Sequence, residues 1–132
     1  MPCGEEIAGH WDYQFSHHGP PLFIKRDNGG NLNHVVVNEL LEDVMVIPIN
    51  SLVKAAPYNG AVEHAQGEIK QHLRTWPDKA KTTQAFVLLT ETAAHDLNHK
   101  PRRRLYGQTA CRVYFGNNRI RVTKRKRKSI YA

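Results

Sequence analysis

Six consecutive residues, Val44-Met45-Val46-Ile47-Pro48-Ile49, are apolar, and four of them are β-branched. A run this short and this uniformly apolar reads as a strand buried on both faces, the habit of parallel sheets. Such a strand needs a parallel neighbour and a crossover to reach it. Leu22 to Lys25 supplies a brief second strand. Leu32 to Glu42, with Val35, Val36, Leu40 and Leu41 turned inward, reads as the connecting helix. A right-handed crossover follows from the twist of the strands. The chain is expected to be α/β, built on a short parallel strand pair.

Helices account for most of the rest. Residues 5–17 carry Ile7, Trp11 and Phe15 at i, i+4 and i+8, and His18-Gly19-Pro20-Pro21 ends that helix. A second amphipathic stretch spans 58–75, with Val62, Ala65, Ile69, Leu73 and Trp76 as its inner stripe and Glu63, Gln66, Lys70 and Arg74 opposite. Asp78 to Leu97 predicts another helix, with Phe86, Leu89, Ala93 and Leu97 inward. Leu105 to Phe115 reads as a turn and short helix, and Arg119 to Thr123 as extended.

The charge is divided unevenly. Residues 1–96 hold all twelve acids and seven Lys or Arg, whereas residues 97–132 hold twelve Lys or Arg and no acid. That asymmetry points to a polyanion partner, most simply nucleic acid. A solvated, loosely ordered tail is the plain alternative for Lys124-Arg125-Lys126-Arg127-Lys128. No apolar run approaches the ~18 residues of a membrane span, and the tail lacks the apolar face of a membrane-surface helix. The N-terminus has neither the basic start nor the apolar core of a signal peptide. Two cysteines, Cys3 and Cys111, suggest neither a disulfide framework nor a zinc site. A cytoplasmic protein is the expectation. At 132 residues the chain is long enough for one domain with a core, divided here as a core over 1–116 and a basic tail over 117–132.

Two acids sit in settings that suit a metal site, with 35 residues between them. Asp27 opens Asp27-Asn28-Gly29-Gly30 directly after the first strand. Glu63 follows Pro57-Tyr58-Asn59-Gly60 at the start of a helix. Hard divalent cations prefer such carboxylate oxygens. Glu63, Lys70 and Arg74 also suit the wet face of an amphipathic helix, with no further role. His95 and His99 stand four apart, a spacing that can bind metal, but the eight histidines show no zinc pattern and read as structural. No glycine-rich phosphate loop is present.

Ile24-Lys25-Arg26-Asp27-Asn28-Gly29 resembles the second-acid motif of the integrase and transposase catalytic core, the DDE, retroviral-integrase-like superfamily. Pro57-Tyr58-Asn59-Gly60-Ala61-Val62-Glu63 looks like its third-acid motif at that family's spacing. Leu97-Asn98-His99-Lys100-Pro101-Arg102, followed by Leu105, Gly107, Gln108 and Thr109, resembles the end of bacterial insertion-sequence transposase cores. The resemblance runs from about residue 11 to 116. It implies an RNase H-like core that acts on DNA by metal-dependent phosphoryl transfer, with Asp27 and Glu63 as ligands of Mg²⁺ or Mn²⁺. It further implies that Asn59, Lys70, Arg74, Arg102, Arg103 and Arg104 face DNA. Lys124, Arg125, Lys126, Arg127 and Lys128 would add affinity through counterion release.

The chain departs from that family ahead of Asp27. In that family the first Asp belongs on the central strand of the sheet, upstream of an antiparallel meander and its following helix, yet only 26 residues precede Asp27, and they match that helix. Glu5, Glu6 and Asp12 lie in the wrong element to replace it. The expectation is therefore a truncated core, inactive alone. The first strand would be left as an open sheet edge, which predicts a homo-oligomer. Three readings stay open: a catalytic-core piece that depends on a missing segment, a non-catalytic DNA-binding or oligomerising remnant, and a small interaction protein that reuses the scaffold.

Overall fold

Gly19-Pro20-Pro21 stops the first helix abruptly. Helix α1 covers Gly4–His18, and Gly19 (φ 81) donates its N–H back to the Phe15 carbonyl at 2.8 Å. The two prolines cannot extend the helix, so the chain leaves it straight into a strand. At the other end, the Glu6 carboxylate accepts from the Cys3 N–H at 2.9 Å. The computed structural model describes residues 2–52, 60–76, 80–116 and 122–132. Two compact units result: Met1–Asn59 with Arg121–Ala132, and Gly60–Ile120.

The first unit contains α1, strand β1 (Phe23–Arg26), helix α2 (Val35–Asp43) and strand β2 (Ile47–Asn50). The strands pair in parallel, with Phe23 opposite Ile47 and Arg26 opposite Asn50. Fully buried Val37, Leu41 and Val46, with Ala8, form the core, and Ile7, Trp11, Phe15, Ile24 and Leu40 pack on it. Gly4 is buried where a Cβ would collide with the His34 ring, so only glycine lets α1 lie so close to the start of α2.

Strand β2 starts three residues later than the apolar run suggested. Val44 and Met45 are taken up in closing α2. Val46 donates its N–H to the Leu41 carbonyl (2.8 Å) and Met45 to that of Glu42 (3.0 Å), with Met45 left-handed at φ 53. This is a Schellman motif, whose usual apolar contact is supplied by buried Val46 and Leu41. A methionine stands where glycine is the rule.

The second unit contains α3 (Gly60–Arg74), α4 (Thr83–His99), a 3₁₀ turn at Arg103–Leu105 and α5 (Ala110–Gly116). Thr82 caps α4, its hydroxyl accepting from the Ala85 N–H. Helix α3 packs on α4. The inner stripe of α3 is shorter than expected: Ile69, Leu73 and Trp76 are half-buried, whereas Val62 (60% exposed) and Ala65 face outward. On α4, Phe86 is likewise exposed and Ala93 is the buried position. The second half of each predicted stripe therefore does the packing. Helix α6 (Lys124–Tyr131) belongs to the first unit. No described helix is long and apolar enough to cross a membrane.

Candidate metal and nucleic-acid site

Asp27 directly follows the last residue of β1, at the C-terminal end of a parallel pair, where ligands of open α/β sheets gather. Its Oδ1 accepts from the Gly29 N–H at 2.9 Å, an Asx turn. A Cβ on Gly29 would sit 2.9 Å from that oxygen. A side chain at position 29 would push that carboxylate oxygen aside.

The turn is anchored from several sides. Asn28 Nδ2 donates to the Ser51 carbonyl at 2.7 Å. Asn33 Nδ2 donates to the carbonyls of Asp27 and Gly29 at 3.3 and 3.2 Å. The Ser51 hydroxyl and N–H both donate to the Arg26 carbonyl. Arg26 itself is buried; its Nε donates to Asn50 Oδ1 (2.7 Å) and its Nη1 to the Leu32 carbonyl (2.6 Å). Burial pushes the Arg26 pKa down from its usual value. Sequence reasoning did not assign Arg26, Asn33 or Asn50 a place around Asp27. The signal for Arg26 was period two, since it shares the inward face of β1 with Ile24.

Glu63 lies in the first turn of α3, exposed, and the partial positive charge of a helix N-terminus favours an acid there. Lys70 and Arg74 continue the same exposed face. Asp27 belongs to the first unit and Glu63 to the second. Asn59 lies outside the described residues. Divalent cations require several oxygen ligands. Among the described residues no group of three or more His, Cys, Asp or Glu side chains is arranged to hold one. The described carboxylates do not compose a metal centre by themselves.

The basic residues divide by engagement. Arg102 Nη1 bonds both oxygens of Glu68, at 3.0 and 2.9 Å, and its Nη2 reaches the Leu97 carbonyl. That hydrogen bond, reinforced by the positive charge of Arg102, holds the Glu68 carboxyl below its usual range. Arg103 and Arg104 are exposed on the 3₁₀ turn, as are Lys124, Arg125, Lys126 and Lys128 on α6; Arg127 is half-buried. His95 and His99 stack at 4.1 Å, with His99 Nδ1 at 2.8 Å from the His95 carbonyl, and His72 pairs with Asp96 at 3.2 Å. Beside the Asp27 loop, Ile7, Trp11 and Leu32, with Glu6 and His10, line an open groove of about 610 Å³.

No family model and no curated protein sequence matches the chain. Solved structures do. One is a chain of the simian T-cell lymphotropic virus intasome in complex with PP2A regulatory subunit B56 gamma, at TM-score 0.76 and 16% identity, covering 92% of this chain and 43% of that one. Another is the catalytic core domain of BIV integrase, at TM-score 0.68 and 19% identity, covering 88% of this chain and 74% of that one. The chain thus spans less than half the length of the first. The fold is that of an integrase catalytic core, RNase H-like and α/β, and the described residues include no antiparallel meander ahead of β1.

Proposed function

We propose that this chain is a DNA-binding fragment of an integrase- or transposase-type catalytic core that does not transfer phosphoryl groups on its own. The supporting observation is Asp27, held in an Asx turn at the end of β1 within an integrase core fold. In this reading Asp27 and Glu63 are the remaining ligand positions for Mg²⁺ or Mn²⁺. Such an ion pair would activate a water or a DNA 3′-hydroxyl and stabilise the leaving oxygen. On this reading the acids that precede Asp27, namely Glu5, Glu6 and Asp12, lie on α1 and do not serve as a third ligand, so the chain keeps the binding and loses the chemistry. DNA affinity comes from exposed Lys70, Arg74, Arg103, Arg104 and the cations of α6.

Duplex binding tested across salt, with nicking and strand-transfer assays in Mg²⁺ and Mn²⁺, checks both halves. Affinity is expected to fall steeply between roughly 50 and 200 mM salt, with no turnover. Metal-dependent nicking that disappears in Asp27→Asn would overturn the inactive half. Binding indifferent to salt would overturn the DNA half. A second reading, an interaction module that assembles with copies of itself, draws support from β1, whose outer edge has no strand partner among the described residues and whose Phe23 is about half exposed.

A further inference from the structure

One guanidinium gathers three main-chain carbonyls at the start of the strand pair. Arg127 Nη1 donates to the Pro21 carbonyl at 2.7 Å and to that of Met45 at 3.1 Å, and Nη2 to that of Pro20 at 2.6 Å. Pro20 and Pro21 lead into β1. Met45 is the left-handed residue that leads into β2. A planar fork with five donors suits this task as no ammonium does.

The rest of α6 is built for the opposite purpose. Lys124, Arg125, Lys126 and Lys128 are exposed, and among the described residues their side chains have no hydrogen-bond or ion-pair partner. An eight-residue helix with five cations and no acid is a poor helix alone. Isolated helices shorter than ~12 residues are marginal, and like charges four apart, such as Lys124 and Lys128, repel. Among the described residues the side-chain hydrogen bonds of α6 are the Thr123 cap, accepting from the Lys126 N–H at 3.2 Å, and the Arg127 fork, with Ile130 and Tyr131 each about two-thirds covered.

We propose that α6 is a prefolded polyanion-binding helix in which Arg127 is the fastener and Lys124, Arg125, Lys126 and Lys128 are the phosphate ligands for duplex DNA. The proposal rests on the DNA-binding reading above and divides the five cations into two roles. Because the helix is already ordered, binding does not have to order it, which favours affinity.

The test uses the full chain with a fluorescent duplex of about 20 base pairs, read by anisotropy across salt, together with amide hydrogen exchange. Lys128→Ala and Arg125→Ala are each expected to flatten the slope of log affinity against log salt by about 0.9 and to leave α6 exchange unchanged. Arg127→Lys keeps the charge, and is expected to accelerate α6 exchange and weaken binding, with α3 and α4 exchange as the control for folding. Arg127→Ala should likewise free α6. Unchanged α6 exchange in both Arg127 variants overturns the fastener. So does an Arg127→Ala that merely flattens the slope as Lys128→Ala does. A wild-type chain that ignores DNA, yet loses α6 protection in Arg127→Lys, overturns the ligand role and the DNA reading together while leaving the fastener standing.

Discussion

Glu68 and Arg102 show how a single pairing redistributes charge that looks uniform in the sequence. Arg102 sits in a run of three arginines, yet its guanidinium is committed to Glu68 while its neighbours are exposed. The Glu68 pKa is lowered, first by that hydrogen bond. A carboxylate depressed on folding contributes stability above its unfolded pKa, near 4.5, and loses it as pH falls through the lower folded value. Thermal melts are expected to hold steady above about pH 5 and decline below it. Arg102→Ala should lower neutral stability by about 1 kcal/mol or less and weaken the acid decline; an identical decline in the variant would overturn the assignment. Nothing local announced this pair, because the partners are 34 residues apart. Asp27 was legible for the opposite reason, since strand, acid, Asn and Gly are contiguous and the Asx turn is made within three residues. The anchors Asn33, Asn50 and Ser51 come from farther along the chain.

Helix α2 buries Val37 and Leu41, four apart, and half-buries Val36 and Leu40, whereas Val35, expected inward, is 60% exposed and Val37, which the expected stripe leaves out, takes the core position. Leu41→Ala is expected to cost about 2–5 kcal/mol, whereas Val62→Ala, on the exposed start of α3, should stay within about 0.5 kcal/mol. Urea unfolding of the two variants checks the contrast, and equal losses would place the core elsewhere. Periodicity marks which side of a helix is apolar but not how far a neighbour runs along it. That is why Val62 and Phe86 were read as inward and are exposed. The late start of β2 has a similar cause: β-branched Val44 suits a strand, but closing α2 consumes it, and a methionine in the left-handed position carried no glycine signal.

At the scale of the whole molecule, β1 is an edge: the described residues place β2 on one side of it and no strand on the other. Unpaired edges with apolar side chains recruit partners. Sedimentation at micromolar concentration is expected to show a species heavier than 15.1 kDa; a 15.1 kDa species at every concentration would overturn the self-assembly expectation. The sequence signals at Asp27 and Glu63 are local, an acid after a strand and an acid at a helix start, and say nothing about bringing two units together. The Arg127 fork carries a different consequence, one of timing. Its carbonyl partners at Pro20 and Pro21 lie 107 and 106 residues earlier in the chain. Contacts of such long sequence separation are slow to find, because closure entropy is lost before the contact rewards it. The strand pair and its crossover helix can form within some 30 residues, so they are expected to form first, with the carbonyls of Pro20, Pro21 and Met45 facing water until residue 127 arrives.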